Sequence, residues 1–289
     1  MKNNIIKKMA QKSLYLLPHV FAHSLIYYYC HGRKWNSKFP ELYDEKIHWH
    51  IVNTYNQDYA KYADKYLVRK FVEDCGLTDY LIPLYGVYNR AEDIDFQNLP
   101  EEFVLMTNHG SGSDYYEICR DKSKLDIKAT RDKMNTALSL NYSSNVSCEY
   151  HYQYIKPVIM CEKLLKNDNQ DMVDDFKVVC SYGKCHAILV CKDRDRGRAY
   201  YSPNWEHLDY CHAKYECQEK IKKPELLDEM LSAAAILSAS FPLARIDFYI
   251  ASGKLYFGEI TLTPSGGNHK YLNEMGQYEL GKFVAPHWD

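Results

Sequence analysis

Residues 244–261 read Ala244-Arg245-Ile246-Asp247-Phe248-Tyr249-Ile250-Ala251-Ser252-Gly253-Lys254-Leu255-Tyr256-Phe257-Gly258-Glu259-Ile260-Thr261, and this stretch decides the fold. Both halves alternate about Ser252-Gly253-Lys254, which predicts two antiparallel strands and a tight turn with Gly253 at positive φ. A three-residue loop sets Asp247 opposite Glu259. One face then carries Ala244, Ile246, Phe248 and Ile250 with Tyr256, Gly258, Ile260 and Leu262, and the other carries Arg245, Asp247 and Tyr249 with Phe257, Glu259 and Thr261. A two-residue loop would set Ile246 against Glu259 and mix the faces, so side-chain chemistry selects the odd register. Opposed carboxylates, roughly 5 Å apart at Cβ, repel unless a cation or a shared proton lies between them. The oxygens of Asp247, Glu259 and Thr261 are hard ligands suited to Mg²⁺, which also borrows substrate phosphates. The plainer reading is a solvated strand face on which Arg245 neutralises Asp247, and spacing alone leaves both open.

Upstream lie further segments with chemical content. Asp64 predicts an N-cap for a helix through Cys75, with Lys65 in its first turn and Arg69 one turn on. Phe103-Val104-Leu105 reads as a strand entering Asn108-His109-Gly110-Ser111-Gly112, where glycines let backbone N–H groups turn toward a phosphate. Pro157-Val158-Ile159-Met160-Cys161-Glu162-Lys163-Leu164-Leu165 is an apolar strand ending in an acid. Residues 175–191 predict a second hairpin with Gly183 in the turn and Lys177 on its polar side. Arg194, Arg196 and Arg198 place three guanidinium groups within five residues. They form either a salt-bridged loop or a clamp for phosphate or carboxylate.

These blocks, in this order from about Pro40 to Gly281, resemble the TupA-like ATP-grasp family of polysaccharide and cell-wall polymer biosynthesis. The resemblance rests on Asp64-Lys65-x-x-Val68-Arg69, Leu81-Ile82-Pro83-Leu84-x-Gly86-Val87-Tyr88 and the strand and glycine loop at 103–112. Ile155-Lys156-Pro157…Glu162, Asp175-Phe176-Lys177, the 194–205 segment and Arg245-x-Asp247…Gly258-Glu259-x-Thr261-x-Thr263-Pro264-x-Gly266 complete it. It implies an α+β ATP-grasp fold, two α/β subdomains clasping ATP. Asp247, Glu259 and Thr261 would hold Mg²⁺, and Lys65, His109, Gly110, Ser111, Gly112, Glu162 and Leu164 would bind the nucleotide. Arg245, Lys177, Arg194 and Arg196 would act on the transferred phosphoryl group, and Ser265, Gly266 and Gly267 would bound the acceptor end. The implied activity joins a uronic-acid carboxyl of a nucleotide- or lipid-linked glycan precursor to an amine. One departure stands out: the family's strand carries lysine where this chain has Met106, and a thioether cannot replace an ammonium against phosphate. A glycosyltransferase and a non-catalytic scaffold are the rival readings. The first would need a metal at Asp193-Arg194-Asp195, and the second follows from Met106.

Composition agrees. The chain has 289 residues, 46% of them hydrophobic, enough for a substantial core in two or three subdomains. A formal net charge of −2 gives no overall nucleic-acid signature. Ten cysteines occur without a C-x-x-C pair, which favours reduced core thiols in a cytoplasmic protein. The expected boundaries are a basic helical region at 1–57, a first α/β subdomain at 58–100, a nucleotide-binding subdomain at 101–165 and a C-terminal subdomain at 166–289. The nucleotide-binding one carries a helix capped by Asp126, and the last a helix begun at Pro224 with Leu226, Leu227, Met230, Leu231, Ala234 and Leu237 on one stripe.

Charge is uneven. No acid precedes Glu41, whereas Lys2, Lys7, Lys8, Lys12, Arg33, Lys34 and Lys38 all do. Leu14, Leu17, Phe21, Leu25 and Tyr28 recur at helical spacing, broken by Pro18. The segment is too short and too polar to span a bilayer and lacks a signal-peptide pattern. Two readings remain: an amphipathic arm on an anionic membrane surface, or a helix packed on the body with its lysines solvated.

Overall fold

The computed structural model describes residues 14–144, 147–167, 173–192 and 197–286. Two helices come first, α1 (His19–His31) and α2 (Tyr43–Asn53), followed by the short α3 (Ala60–Ala63) and α4 (Val68–Asp74). Asp64 accepts from the amides of Tyr66 and Leu67 and caps the turn into α4, as its position predicts. The four strands β1 (Leu84–Tyr88), β2 (Phe103–Thr107), β3 (Tyr116–Cys119) and β4 (Ile159–Glu162) form one antiparallel sheet in the order β1-β4-β2-β3. Helix α5 (Ile127–Ser139), capped by Asp126, covers one face of it through Met134, which packs with Phe103, Leu105 and Cys161. The other face presents Val104 and Met106 to a cleft.

This sheet redraws the expected subdomains. The expected boundaries set β1, within 58–100, apart from β2–β4, yet Leu84 pairs with Glu162 and Tyr88 with Ile159. That pairing spans more than seventy residues, and turn chemistry cannot signal it. The α3–α4 segment joins the larger lobe instead, where Val68 and Val72 enter its core.

The larger lobe is a six-stranded antiparallel sheet in the order β10-β9-β5-β6-β7-β8. It comprises β5 (Asp175–Ser181), β6 (Lys184–Cys191), β7 (Arg198–Tyr201), β8 (His207–Leu208), β9 (Ala244–Ala251) and β10 (Lys254–Thr261). Alternation along its strands feeds two cores. Val178, Cys180, Ile188 and Val190 face α6 (Leu227–Ser238), while Val179, Ala187, Leu189 and Cys191 face α2 and α7 (Glu274–Phe283). Helix α6 begins three residues after Pro224 and buries Leu227, Met230, Ala234 and Leu237 of the expected stripe, while Leu226, at the helix cap, and Leu231 are half-buried.

The deciding hairpin pairs Asp247 with Glu259, by a different route from the one predicted. Its loop has two residues, Ser252 and Gly253, both at positive φ (49° and 70°), the geometry that matches strand twist. A β-bulge between Phe257 and Glu259 then inserts Gly258 and restores the carboxylate register. The bulge also corrects two residues. Phe257 pairs with Phe248 and joins the core, while Tyr256 pairs with Tyr249 in a separate apolar cluster.

Helix α1 packs with the face opposite to the expected stripe. Ala22, His23, Ile26 and Tyr27 are buried, and Phe21, Leu25 and Tyr28 point outward. The helix is apolar on all sides, so periodicity could not choose between them.

Candidate functional site

Between the two sheets lies a cleft of about 340 Å³ whose walls come from the glycine loop, β2, β5 and the β9–β10 hairpin. Asp247 and Glu259 stand in its floor, each met by cations. Lys177 Nζ lies 2.5 Å from Asp247 Oδ2 and 2.5 Å from Asp175 Oδ2. Lys65 Nζ lies 2.8 Å from Glu259 Oε2. Arg245 donates through Nε and Nη2 to both oxygens of Asp247 at 2.7 Å, and through Nη2 to Thr261 Oγ1 at 3.0 Å. Thr261 Oγ1 in turn donates to Glu259 Oε1 at 2.9 Å.

Strand pairing creates this cluster. Lys177 is opposite Asp247 across β5 and β9, and Asp175 follows on the same side two residues earlier. Three carboxylates and three cations balance formally. Burial alone would raise the Glu259 pKa, but Lys65, Arg245 and Lys177 hold it well below the carboxylate range. Burial would likewise discharge Lys177, and Asp247 reverses that, keeping the ammonium charged far above neutral pH.

The glycine loop follows β2. Lys65 donates to the carbonyl of Gly110 at 3.0 Å, and its own amide donates to the carbonyl of Asn108. Asn108 holds the loop base by accepting from the Val158 amide and donating to the Lys156 carbonyl. Gly112 sits at φ 97°, ψ 169°, a region open only to glycine. A Cβ on Gly110 would fall 1.9 Å from the Tyr115 ring. Gly110, Ser111 and Gly112 thus border the cleft, whereas His109 does not. Its ring is buried, with Nε2 meeting the Leu140 carbonyl at 3.0 Å.

Glu162 ends β4 beneath the cleft. Its Oε1 accepts from Arg69 Nη1 at 2.9 Å, and Arg69 Nη2 donates to the Ile82 carbonyl. Burial lifts its pKa to about 7 against the pull of Arg69 and Lys65. Neither Glu162 nor the buried Leu164 lines the cleft, and the Lys163 amide is already bonded to the Pro83 carbonyl. The acceptor loop is also offset. Ser265, Gly266 and Gly267 have positive φ (53°, 56° and 72°) and pack toward α2, with the Gly267 carbonyl meeting His31 Nε2. Tyr271 links them to the cleft, its hydroxyl 3.5 Å from Ser265 Oγ and its ring 4.8 Å from the Arg198 guanidinium.

The profile of the TupA-like ATPgrasp family matches residues 45–285. The chain belongs to that family. Among curated proteins no match to this chain is found. Solved structures similar to this TupA-like ATPgrasp chain include a D-alanine–D-alanine ligase from Helicobacter pylori, at 18% identity and a TM-score of 0.41, with 81% of this chain and 62% of that one covered. The corresponding ligase from Bacillus anthracis is 18% identical with a TM-score of 0.44, over 77% and 66% of the two chains. An L-amino acid ligase from Bacillus licheniformis gives 13%, 0.44, 76% and 45%. The chain spans less than two thirds of the length of each of these proteins, and likeness this distant transfers no substrate.

Within the TupA-like ATPgrasp frame, the predicted site residues separate into groups. Lys65, Gly110, Ser111, Gly112, Lys177, Asp247 and Glu259 meet in the cleft. Arg245 and Thr261 are buried beside the two carboxylates, and Arg245 positions Asp247 by donating to both of its oxygens. Arg194 and Arg196 lie outside the described residues. The cleft also uses Arg198, the third arginine of the clamp reading, and Asp175, Tyr115 and Tyr249, to which the sequence reading gives no role. Asp175 had a signal in the sequence, two residues before Lys177 on a strand and therefore on the same face.

For a divalent cation, the donor chemistry fits in kind. Asp247, Glu259 and Thr261 offer oxygens only, and Mg²⁺ takes its remaining positions from water and phosphate. Among the described residues no group of three or more His, Cys, Asp or Glu is arranged around a metal position. The carboxylates are satisfied by Lys65, Lys177 and Arg245, and the lysine contacts would have to open first.

Proposed function

We propose that the protein is an ATP-dependent ligase that couples a carboxylate to an amine through an acyl phosphate. The observation that supports this reading most is the placement of Lys65 between the glycine loop and Glu259, with Lys177 on Asp247 in the same cleft, in a chain of an ATPgrasp family. A triphosphate entering the cleft offers both ammonium groups a stronger anionic partner than a single carboxylate. The amides of the 110–112 loop would meet the same phosphates.

The chemistry balances without a redox partner. A carboxylate oxygen of the acceptor attacks the γ-phosphorus, the bond from that phosphorus to the β–γ bridging oxygen breaks, and ADP leaves. The amine nitrogen then attacks the acyl carbon, inorganic phosphate leaves and one proton is released. Mg²⁺, when held by Asp247, Glu259 and Thr261, would neutralise phosphate charge. The chain's own contribution is placement. Arg245 fixes Asp247, Lys65 and Lys177 neutralise the transferred group, and Arg198 is placed to pair with a carboxylate at the cleft edge. By family resemblance the acceptor is a uronic acid of a glycan precursor and the amine an amino acid. Met106, an apolar wall where phosphates would lie, favours the scaffold reading.

ADP release measured with pairs of uronates and amines tests this, alongside Glu259→Gln. The variant should keep its fold, lose ADP formation and lose the Mg-ATP-dependent rise in melting temperature. Full turnover in Glu259→Gln would overturn the mechanism. Absence of any ATP-dependent stabilisation in the parent protein would leave the scaffold.

A further inference from the structure

Helix α1 is held from one side only. Ala22, His23, Ile26 and Tyr27 are buried against the body, where His23 Nδ1 lies 2.7 Å from His48 Nδ1 on α2. The opposite side is apolar and bare. Leu16 is 83% exposed, Val20 50%, Phe21 55%, Leu25 41%, Tyr28 59% and Tyr29 84%. Phe21, Leu25, Tyr28 and Tyr29 fall at i, i+4, i+7 and i+8, so they form one continuous ridge along the helix axis. Apolar surface gathered in this way, in contrast to scattered single residues, marks a docking face.

Charge identifies what docks there. Arg33, Lys34 and Lys38 follow the ridge directly and all three are exposed. The sequence supplies no acid before Glu41 to offset them and adds four more lysines before residue 13. We propose that the outer face of α1 lies on an anionic membrane surface, the ridge entering the interface while the adjacent basic residues meet lipid phosphates. The composition suits that partner: Leu and Phe insert, Tyr residues sit at headgroup depth, and each basic residue close to the surface adds attraction. No helix among the described residues is long and apolar enough to cross a membrane, so the contact is one of lying on the surface. A second copy of the chain is a poorer occupant. A two-fold contact through the ridge would bring Arg33, Lys34 and Lys38 of one copy against those of the other. The proposal concerns a face distinct from the cleft and does not depend on the ligase reading.

The full chain should sediment with vesicles of equimolar phosphatidylcholine and phosphatidylglycerol and stay in solution with phosphatidylcholine alone. Phe21→Ser/Leu25→Ser/Tyr28→Ser should weaken the partition by about tenfold or more while largely keeping the parent's melting temperature, because those side chains are exposed and lie on the face away from the buried side of α1. Leu25→Ser alone gives a milder loss and serves if the triple variant fails to fold. Arg33→Gln/Lys34→Gln/Lys38→Gln should also weaken binding and flatten its salt dependence. Parent-like sedimentation of the ridge variant overturns the proposal, as does equal binding to both vesicle types. A parent dimer that the ridge variant converts to monomer, without vesicle binding, assigns the ridge to a second copy and overturns it too.

Discussion

Lys65 Nζ lies 2.8 Å from Glu259 Oε2 and 3.0 Å from the Gly110 carbonyl, so one ammonium ties the glycine loop to the carboxylate hairpin. Both contacts are ones that a phosphate would compete for. Lys65→Met should therefore weaken ATP binding by about tenfold or more, equivalent to roughly 1.4 kcal/mol or above. It should also raise the pKa of Glu259, whose depression rests largely on Lys65. Titration calorimetry reads the first effect, and unaltered affinity would remove Lys65 from the phosphate site.

Met106 faces the same cleft from β2, where Lys65 and Lys177 are paired with carboxylates and Arg198 stands over Tyr271. Lys177 is held between Asp175 and Asp247, and Lys65 between Glu259 and the loop. Met106→Lys should accordingly tighten ATP binding by about tenfold, or roughly 1.4 kcal/mol. Flat or weaker binding, by the same calorimetry, would show that another cation already serves that position.

Gly258 is the bulge residue that brings Glu259 opposite Asp247. A Cβ there would meet the Tyr249 ring at 2.9 Å and the Asp247 carbonyl oxygen at 3.1 Å. Gly258→Ala should cost about 1–3 kcal/mol of stability by overpacking and, by shifting the pairing, reduce ADP formation further than the stability loss explains. Urea denaturation and a turnover assay on one preparation separate the two. Loss of stability with full turnover would mean that the carboxylate register does not matter.

Burial keeps His48 and His50 neutral, with pKa values lowered to about 4, and His151 lower still, at about 3. Neither ring nitrogen of His151 has a hydrogen-bond partner among the described residues. Each folded-state value lies below the unfolded 6.5, so between those limits the unfolded chain binds more protons and stability falls as pH falls. Each histidine should remove roughly 2 kcal/mol or more by about pH 4. Burial would raise the Asp44 pKa, but His269, with Nδ1 at 2.5 Å, holds it to about 2. Its contribution is present above 3.8 and disappears as pH falls toward 2, below the histidine window. His151→Leu should flatten the slope between pH 6.5 and about 4. An unchanged slope in denaturant titrations would place the acid limb elsewhere.

The legible parts of this fold are those in which chemistry is local. Asp64 and Asp126 announce helix starts because a carboxylate two or three residues before orphan amides satisfies them wherever the chain goes. The Asp247–Glu259 pairing was legible from charge even though the loop length was misjudged, because glycine serves equally in a turn and in a bulge. The placement of β1 beside β4 was not legible, since nothing near Leu84 encodes Glu162. His109 misled for a related reason. Its position in the loop suggested the ligand side, but burial against the Leu140 carbonyl depends on where α5 ends. Outward and inward faces of α1 were equally apolar, so only the packed molecule distinguishes them.

Helix α2 is bonded to the C-terminal part of the described chain. Lys46 on α2 donates to the Val284 carbonyl at 2.6 Å, His50 meets the Ala285 carbonyl at 2.6 Å, and Asp44 accepts from Gln277, contacts between 233 and 238 residues apart in sequence. During synthesis, then, α2 leaves the ribosome long before residues 277–285 can satisfy Asp44, Lys46 and His50. A nascent chain must carry this helix, with Asp44, Lys46 and His50 lacking those partners, until residues 277–285 emerge, and the lobe that seats residues 264–267 closes only after them. Arrest of translation before residue 277 would release a chain whose glycine-loop sheet already has all four of its strands, but whose α2 lacks its partners at Gln277, Val284 and Ala285.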